Sequence, residues 1–170
     1  MITMTKQFAH KKITTPSGKL TLISNGSALA AILWENDSPE RVRIDQGEQS
    51  ETDPILIKAE KQLLEYYAGC RTSFDLPLDF QGSDFQKAVW KALLSIPYGE
   101  TKTYKQIATE LGKEQAVRAV GTAIGRNPLS IVAPCHRVIG SDGELRGFAG
   151  GLETKAQLLK LESETSVRRK

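Results

Sequence analysis

Cysteine and histidine are scarce in this sequence, with two of each among 170 residues. Two cysteines cannot build the disulfide framework of a small secreted domain, so a reducing compartment is expected. No apolar run approaches the roughly 18 residues that cross a bilayer, and we expect no membrane partner. The N-terminal stretch also lacks the apolar centre of a signal peptide. Together these absences predict a cytoplasmic protein.

The spacing of the few candidate ligands argues against a zinc site. Structural zinc takes four Cys or His ligands, commonly in closely spaced pairs. Here Cys70 and Cys135 lie 65 residues apart, His10 stands alone, and His136 directly follows Cys135. We therefore expect no metal.

Positive charge is concentrated in the second half of the chain. Residues 1–84 contain 9 Lys and Arg against 12 Asp and Glu, whereas residues 85–170 contain 14 against 8. The formal charges are therefore −3 and +6. A basic half favours an anionic partner, with a chance distribution of surface charge as the alternative.

The first half predicts an antiparallel sheet followed by a helix. Three β-type runs, KKITT, KLTLIS and ALAAILWE, are separated by the turn formers PSG and NGS. The polar stretch 35–53 predicts a loop with a short helix. Asp53 and Pro54 then suit the start of a longer helix, and Gly69 can end it. Its apolar positions at helical spacing are Leu56, Ala59, Leu63, Leu64 and Tyr67.

The second half predicts mainly helices. Apolar residues over 85–93 form a clean amphipathic stripe after Ser83. Thr103 and Gln106 then stand in capping-box spacing, at the start of a short helix that Gly112 can end. A second short helix follows after a tight turn, which makes the pair a helix-turn-helix candidate.

These elements predict an α+β fold with two domains. A small N-terminal α/β domain, with antiparallel strands and a helix, is expected over residues 1–80. A mainly helical domain that contains the helix-turn-helix is expected over 84–165. Residues 166–170 are expected to form a disordered tail.

The outer face of the second short helix is small and nearly uncharged. A solvated helix face normally carries several charges, whereas Arg118 is the single cation here. Small residues allow close approach to a DNA groove, and one long cation can enter it. A helix packed on both sides is the alternative. The predicted core face comprises Ala116, Val117, Val120, Ala123 and Ile124, and the outer face Gln115, Arg118, Ala119 and Thr122.

Cys135 has the sequence context of a nucleophile. It lies in the apolar run NPLSIVAPCHRVIG, directly before His136 and Arg137. A thiol is mostly protonated at neutral pH, and a neighbouring cation or histidine base raises its thiolate fraction. A hydrolytic Cys–His enzyme would need a separate histidine, for which His10 is the other candidate. Cys70 has no such neighbours and is expected to be a small buried hydrophobic residue.

The motif PCHRV at 134–138, with GRNP before it and RGFAGGL after it, resembles the O6-alkylguanine-DNA alkyltransferases, in particular the bacterial methylated-DNA–protein-cysteine methyltransferases. The resemblance covers residues 83–163 strongly, through FQKAVWKALLSIPYGETKTY and AVRAVGTAIGRNP in the same order. TPSGKL and YYAG in the first half match loosely. Several motifs at consistent separations make the resemblance specific.

The resemblance implies DNA repair by one irreversible transfer of the alkyl group from O6-alkylguanine in duplex DNA to Cys135. His136 would be the base, acting through a water, and Glu162 would orient it. Because the alkylated cysteine is not regenerated, the protein would act once and need no cofactor. The target base must leave the duplex stack, and Arg118 would enter from the minor groove to take its place.

The resemblance also implies roles for the remaining site residues. Tyr104 would hydrogen-bond the flipped guanine, and Asn127 would tie the helix end to the active-site loop. The carbonyls of Cys135 and Val138 would accept from the exocyclic amine, and the Ala149 amide would donate to O6. The expected DNA contacts are Arg118, Val117, Ala119, Thr103 and Gln115, and the expected base pocket is Tyr104, Asn127, Val138, Phe148, Ala149 and Gly150.

Two other functions remain open at this stage. A non-catalytic lesion sensor would lack the acceptor cysteine, so Cys135 argues against it. A helix-turn-helix regulator would contact the major groove with polar side chains, of which the second helix has few. Ser130 stands where some mammalian relatives carry proline, which predicts slower reaction with bulky O6-benzyl adducts than with O6-methyl ones. We expect a monomer bound to double-stranded DNA.

Overall fold

The first half of the chain forms a sheet of four strands. The structure, a computed structural model, describes residues 7–169, with no side chains beyond residue 165. Strands β1 (Ala9–Thr15), β2 (Gly18–Ser24) and β3 (Leu29–Trp34) form the predicted antiparallel meander. The two-residue strand β4 (Glu48–Gln49) adds a parallel edge beside β1. It is too short to show an alternating pattern in the sequence.

The polar stretch 35–53 contains turns and β4 but no helix, so the predicted short helix is wrong. Arg41 organises this stretch instead. Its guanidinium donates to both carboxylate oxygens of Asp37, at 2.7 and 2.6 Å, and to the carbonyl of Asn127 at 2.7 Å. The loop is therefore fixed to the second half of the chain.

Helix α1 (Pro54–Tyr67) begins and ends as predicted. The Asp53 carboxylate accepts from the amides of Ile55 and Leu56, and Gly69 follows the helix with a φ of +76°. Glycine adopts such a conformation without the penalty that a Cβ brings.

The buried face of α1 differs from the predicted stripe. Tyr66 is fully buried and Tyr67 only partly, while Leu64 is 42% exposed. The face that packs on the sheet is centred on Ala59 and Leu63, and at 3.6 residues per turn Tyr66 lies nearer that centre than Tyr67. The sequence pattern therefore assigned Leu64 to the wrong face.

The second half contains four helices: α2 (Asp84–Leu93), α3 (Tyr104–Glu110), α4 (Val117–Gly125) and α5 (Leu152–Arg169). The capping boxes of Ser83 with Gln86 and of Thr103 with Gln106 are both formed, as the sequence predicted for Thr103. The two-residue strands β5 (Lys102–Thr103) and β6 (Val138–Ile139) pair in parallel. No described helix is long and apolar enough to cross a bilayer. The α+β fold class is confirmed.

Helices α3 and α4 pack together across a 3-10 turn (Glu114–Ala116), an arrangement consistent with a helix-turn-helix. Because α4 begins at Val117, Gln115 lies in this turn and not on the helix face assigned to it. The backbone of α5 continues to Arg169, through most of the segment predicted as a tail. The side chains of 166–169 and all of residue 170 lie outside the described residues.

The apolar run that holds Cys135 lies between two hydrophobic cores. Its first part, including Leu129 and Ile131, packs on the core formed by the sheet and α1. Its second part, with Cys135 and Val138, joins the core between α2, α3 and α4. Contact on both sides explains why this irregular segment is apolar.

A tryptophan on β3 supports the loop before α5. The Trp34 indole N–H donates to Ser130 Oγ at 3.1 Å, and its ring makes an edge contact with Phe148, with centroids 5.3 Å apart. The same ring lies so close to Gly150 that a Cβ there would stand 2.8 Å from it. A side chain at this position would push the loop and the sheet apart.

We predict that Gly150→Ala lowers the free energy of unfolding by about 1–3 kcal/mol, because the added methyl overpacks the contact with Trp34. Gly147→Ala is the matched control in the same loop, since a Cβ there meets nothing within 4 Å. Urea unfolding midpoints measure both effects. Equal midpoints for the two variants would contradict the close contact.

Candidate active site and its groove

Cys135 opens a 3-10 turn (Cys135–Arg137) that Asn127 holds in place. The Asn127 side chain accepts from the Leu129 amide at 3.0 Å and donates to the Ala133 carbonyl at 2.8 Å. Between them Ile131 has a φ of +75°, a conformation that is strained for a β-branched residue. Asn127 therefore ties the segment that follows α4 to the backbone just before the cysteine turn.

The surroundings of the Cys135 thiol favour its protonated form. Burial raises its pKa, and this effect outweighs the opposing hydrogen bond to Asn127 and the positive charges of Arg41 and Lys155. Arg137, which the sequence suggested as an activating cation, points to Glu162 instead. Proton removal therefore requires a base beside the thiol.

Glu162 on α5 is the centre of a buried hydrogen-bond network and is only 1% exposed. His136 Nε2 lies 2.6 Å from its Oε2, and the Tyr66 hydroxyl donates to the same oxygen at 2.6 Å. Arg137 donates to both oxygens, at 2.7 and 3.1 Å, and the Gly99 amide donates to Oε1 at 3.2 Å. Helices α1 and α5 and the cysteine turn therefore meet at one carboxylate.

This network fixes the protonation of the histidine. Burial raises the pKa of Glu162, but the hydrogen bonds and charges of His136 and Arg137 outweigh it and hold the pKa at about 2. Burial lowers the pKa of His136, and Glu162 opposes that only in part. A neutral imidazole facing a carboxylate carries its proton on Nε2. Nδ1 has no hydrogen-bond partner within the described part of the chain and is left as a basic lone pair.

Lys155 on α5 is a buried lysine that the sequence interpretation missed. It is fully buried, and its ammonium donates to the Arg146 carbonyl at 3.1 Å and lies 5.9 Å from the Tyr104 ring centroid. Burial lowers the pKa of Lys155, while the negative charge that Cys135 carries as a thiolate would oppose this. Lys155 thus fastens the loop that ends at α5 and places positive charge near the thiol.

A wide groove of about 1060 Å³ lies outside the cysteine turn. Five residues predicted for DNA or base contact line it: Tyr104, Val117, Arg118, Phe148 and Ala149. A pocket of about 10 Å³ beside Cys135 and Ser130 shares Phe148, Ala149 and Arg41 with the groove. Cys135 therefore lies at the inner end of the groove.

The side chains that line the groove suit a polar aromatic ligand. Burial raises the pKa of Tyr104, so its phenol keeps the proton and can donate a hydrogen bond. Arg118 is exposed on α4, and Lys105 adds further positive charge to the lining, where Arg146 is paired with Asp142 at 2.7 Å. An anionic polymer with a planar base would match this combination.

The other predicted contact residues do not line the groove. Thr103 uses its hydroxyl to cap α3, and Gln115 and Ala119 are exposed beside the groove. Asn127 and Val138 are fully buried behind the cysteine turn, where the Val138 amide donates to the Cys135 carbonyl. Gly150 faces the Trp34 ring.

Cys70 is exposed, so the expectation that it is buried is wrong. It follows the end of α1, where the chain has left the core. Within the described residues no cluster of His, Cys, Asp and Glu could hold a metal ion.

Sequence interpretation missed Tyr66, Arg41 and Lys155 as members of the site. Lys155 could have been found, because it shares a helical stripe with the buried Leu158 and Glu162. Tyr66 and Arg41 could not be placed at the site from the sequence, since the partners that bring them there lie 96 and 86 residues away in the chain.

Comparison with known proteins matches each half of the chain to a domain of one family. Residues 84–164 match the family model described as 6-O-methylguanine DNA methyltransferase, DNA binding domain. Residues 9–80 match the model described as 6-O-methylguanine DNA methyltransferase, ribonuclease-like domain.

Individual relatives match this chain over most of their own length. The methylated-DNA–protein-cysteine methyltransferase of Methanosarcina barkeri is 49% identical over 150 residues, which cover 88% of this chain and 94% of the relative. That of Mycobacterium tuberculosis is 46% identical over 156 residues, covering 90% and 91%. The crystal structure of M. tuberculosis OGT in complex with DNA superposes with a TM-score of 0.85 at 43% identity, covering 92% and 94%. The chain therefore belongs to the 6-O-methylguanine DNA methyltransferase family.

Proposed function

We propose that this protein repairs O6-alkylguanine in duplex DNA by a single transfer of the alkyl group to Cys135. As a member of the family, the chain is a DNA-repair methyltransferase that binds DNA. What we propose beyond this is the lesion on which it acts and the residues that carry out the transfer. One observation carries it: Cys135 lies at the inner end of a groove, next to a buried histidine whose Nδ1 is an unused base.

The transfer needs a proton removed from the thiol, one substitution at carbon and a proton returned to the leaving guanine. The thiol proton of Cys135 passes through a water to Nδ1 of His136, and Glu162 stabilises the imidazolium that forms. The sulfur electron pair then forms a bond to the alkyl carbon while the bond from that carbon to O6 breaks. Guanine leaves with the electron pair of the broken bond and takes up a proton. A thioether is not hydrolysed, so the protein acts once.

The guanine reaches Cys135 by leaving the duplex stack. Arg118, exposed on α4 at the groove, enters from the minor groove and occupies the vacated position. The Ala149 amide donates to O6, and the carbonyls of Cys135 and Val138 accept from the exocyclic amine. The Cys135 carbonyl already accepts from the Val138 amide, but a carbonyl oxygen has a second lone pair.

Tyr104 completes the base pocket from the start of α3. Its protonated phenol donates to the guanine ring, which offsets the charge that develops on the leaving base. The DNA backbone and groove walls are contacted by residues next to Tyr104 and Arg118 in the sequence, namely Thr103, Gln115, Val117 and Ala119. The protein acts as a monomer on double-stranded DNA in the cytoplasm, without a cofactor.

We predict that incubation with a duplex containing one O6-methylguanine adds the mass of one methyl group to the protein, on the peptide that contains Cys135. Cys135→Ser should add no methyl group while still binding the duplex. Cys70→Ser is the control and should be methylated like the wild type. Methylation of the Cys135→Ser protein would disprove the assignment of the acceptor.

We predict that Arg118→Ala slows transfer from duplex DNA by about tenfold or more, because extruding a base costs a few kcal/mol that Arg118 helps to offset. Its reaction with the free base O6-methylguanine should be unchanged, since no base has to be extruded. Arg126→Ala, at the end of α4 and outside the groove lining, is the control. An equal loss on both substrates would contradict the role in base extrusion.

We predict that an O6-benzylguanine oligonucleotide reacts on the order of tenfold more slowly than its O6-methylguanine counterpart. The pocket beside Cys135 and Ser130 holds only about 10 Å³, and forcing a larger group into packed surroundings costs about 1–3 kcal/mol. Single-turnover rates measure the difference. Equal rates would show that the pocket opens without cost.

A further inference from the structure

The N-terminal half of the chain contributes one side chain to the Glu162 network. Tyr66 on α1 is fully buried, and its hydroxyl donates to Glu162 Oε2 at 2.6 Å. His136 Nε2 contacts the same oxygen at the same distance. The proposed base and a tyrosine from the other half therefore share one acceptor atom.

We infer that Tyr66 is a positioning residue for the alkyl transfer: its hydroxyl competes with His136 for Glu162 Oε2 and so sets how strongly the carboxylate holds the imidazole. This inference rests on the proposed role of His136 as the base. It gives the N-terminal half a direct part in the chemistry.

The competition follows from the number of donors around one carboxylate. Glu162 accepts from Tyr66, His136, Gly99 and two nitrogens of Arg137, whereas a carboxylate offers about four lone-pair directions. Each donor draws negative charge from the oxygens. Removing the Tyr66 hydroxyl leaves more charge on Oε2, which strengthens its attraction for a protonated His136.

The hydroxyl can be removed without disturbing the packing of the ring. The Tyr66 ring contacts Tyr67, Phe74 and Tyr98, with centroids 5.5, 5.7 and 6.2 Å away, and phenylalanine would keep these contacts. Burial and the charge of Glu162 raise the pKa of Tyr66, so its hydroxyl remains a donor at every working pH.

Other charged and titratable groups around His136 stay in place in such a variant. Arg137 and Lys155 both lower the pKa of His136 by their positive charge, and Cys135 is its chain neighbour. Tyr98 lies behind Arg137, with its ring centroid 5.6 Å from the guanidinium carbon. A change in His136 titration on removal of one hydroxyl would therefore report the Tyr66 contact.

The first test is an NMR titration of the imidazole of His136 in the full chain. The protein has only two histidines, so His10→Gln makes the remaining signal unambiguous. Tyr66→Phe should move the His136 titration upward by about half a unit to one unit. Tyr67→Phe is the matched control, because its hydroxyl lies 2.9 Å from Ser17 Oγ and does not contact Glu162. Identical titrations in both variants and in the parent would overturn the inference.

The second test is the pH dependence of single-turnover methyl transfer. Because the neutral form of His136 accepts the proton, a higher His136 pKa shifts the acidic limb of the profile to higher pH. At a pH on that limb Tyr66→Phe should be about 3–10-fold slower, and the deficit should shrink as pH rises. An equal slowing at every pH would indicate a purely structural effect and would overturn the inference.

If Tyr66→Phe does not fold, a substitution that is expected to shift the His136 titration in the opposite direction tests the inference instead. Incorporating 3-fluorotyrosine at position 66 keeps the shape and makes the phenol a stronger donor, so the His136 titration should move downward. An upward shift or none would overturn the inference. The NMR tests need no alkyl transfer, so a wild-type protein that fails to methylate Cys135 would refute the proposed function separately.

Discussion

The buried carboxylate of Glu162 is the constraint on which the arrangement of the site depends. An ionised group with 1% exposure costs several kcal/mol in desolvation unless a partner charge and hydrogen bonds compensate it. Arg137 supplies the charge, and donors from Tyr66, His136 and Gly99 occupy the remaining lone pairs. These donors come from both halves of the chain, so satisfying one side chain fixes how the sheet domain and the helices meet.

The same constraint bears on how the Cys135 thiol would be activated in the proposed transfer. In the proposed transfer, burial favours a protonated Cys135 and a neutral His136, so the reacting pair is a thiol and a base and not a preformed ion pair. Glu162 remains ionised and faces the imidazole that would accept the proton in that transfer. Such a site stays unreactive until a substrate carbon is held beside the sulfur. This would suit the single use of the nucleophile that we propose, because premature oxidation or alkylation would be permanent.

Sequence prediction succeeded where the determining contacts are local and failed where they are distant. The caps and the adjacency of Cys135 to His136 are set within a few residues, and the structure contains each cap. Arg137 looked like an activating cation because it is near the thiol in sequence, yet a carboxylate 25 residues away determines its direction. Tyr66 and Tyr67 are adjacent residues of the same type, and only the packing of α1 decides which of them reaches Glu162. The helix starts that the sequence predicted in this way are Asp53 with Pro54 and Thr103 with Gln106.

The central claim is that Glu162 holds a neutral His136 with its proton on Nε2, leaving Nδ1 to accept the proton of Cys135. The most direct measurement is the ¹⁵N chemical shifts of the two His136 ring nitrogens in the wild-type protein at neutral pH. We expect one protonated nitrogen, Nε2, and one unprotonated nitrogen, Nδ1. A fully protonated ring, or a proton on Nδ1, would contradict the account, because Nδ1 could then no longer act as the base.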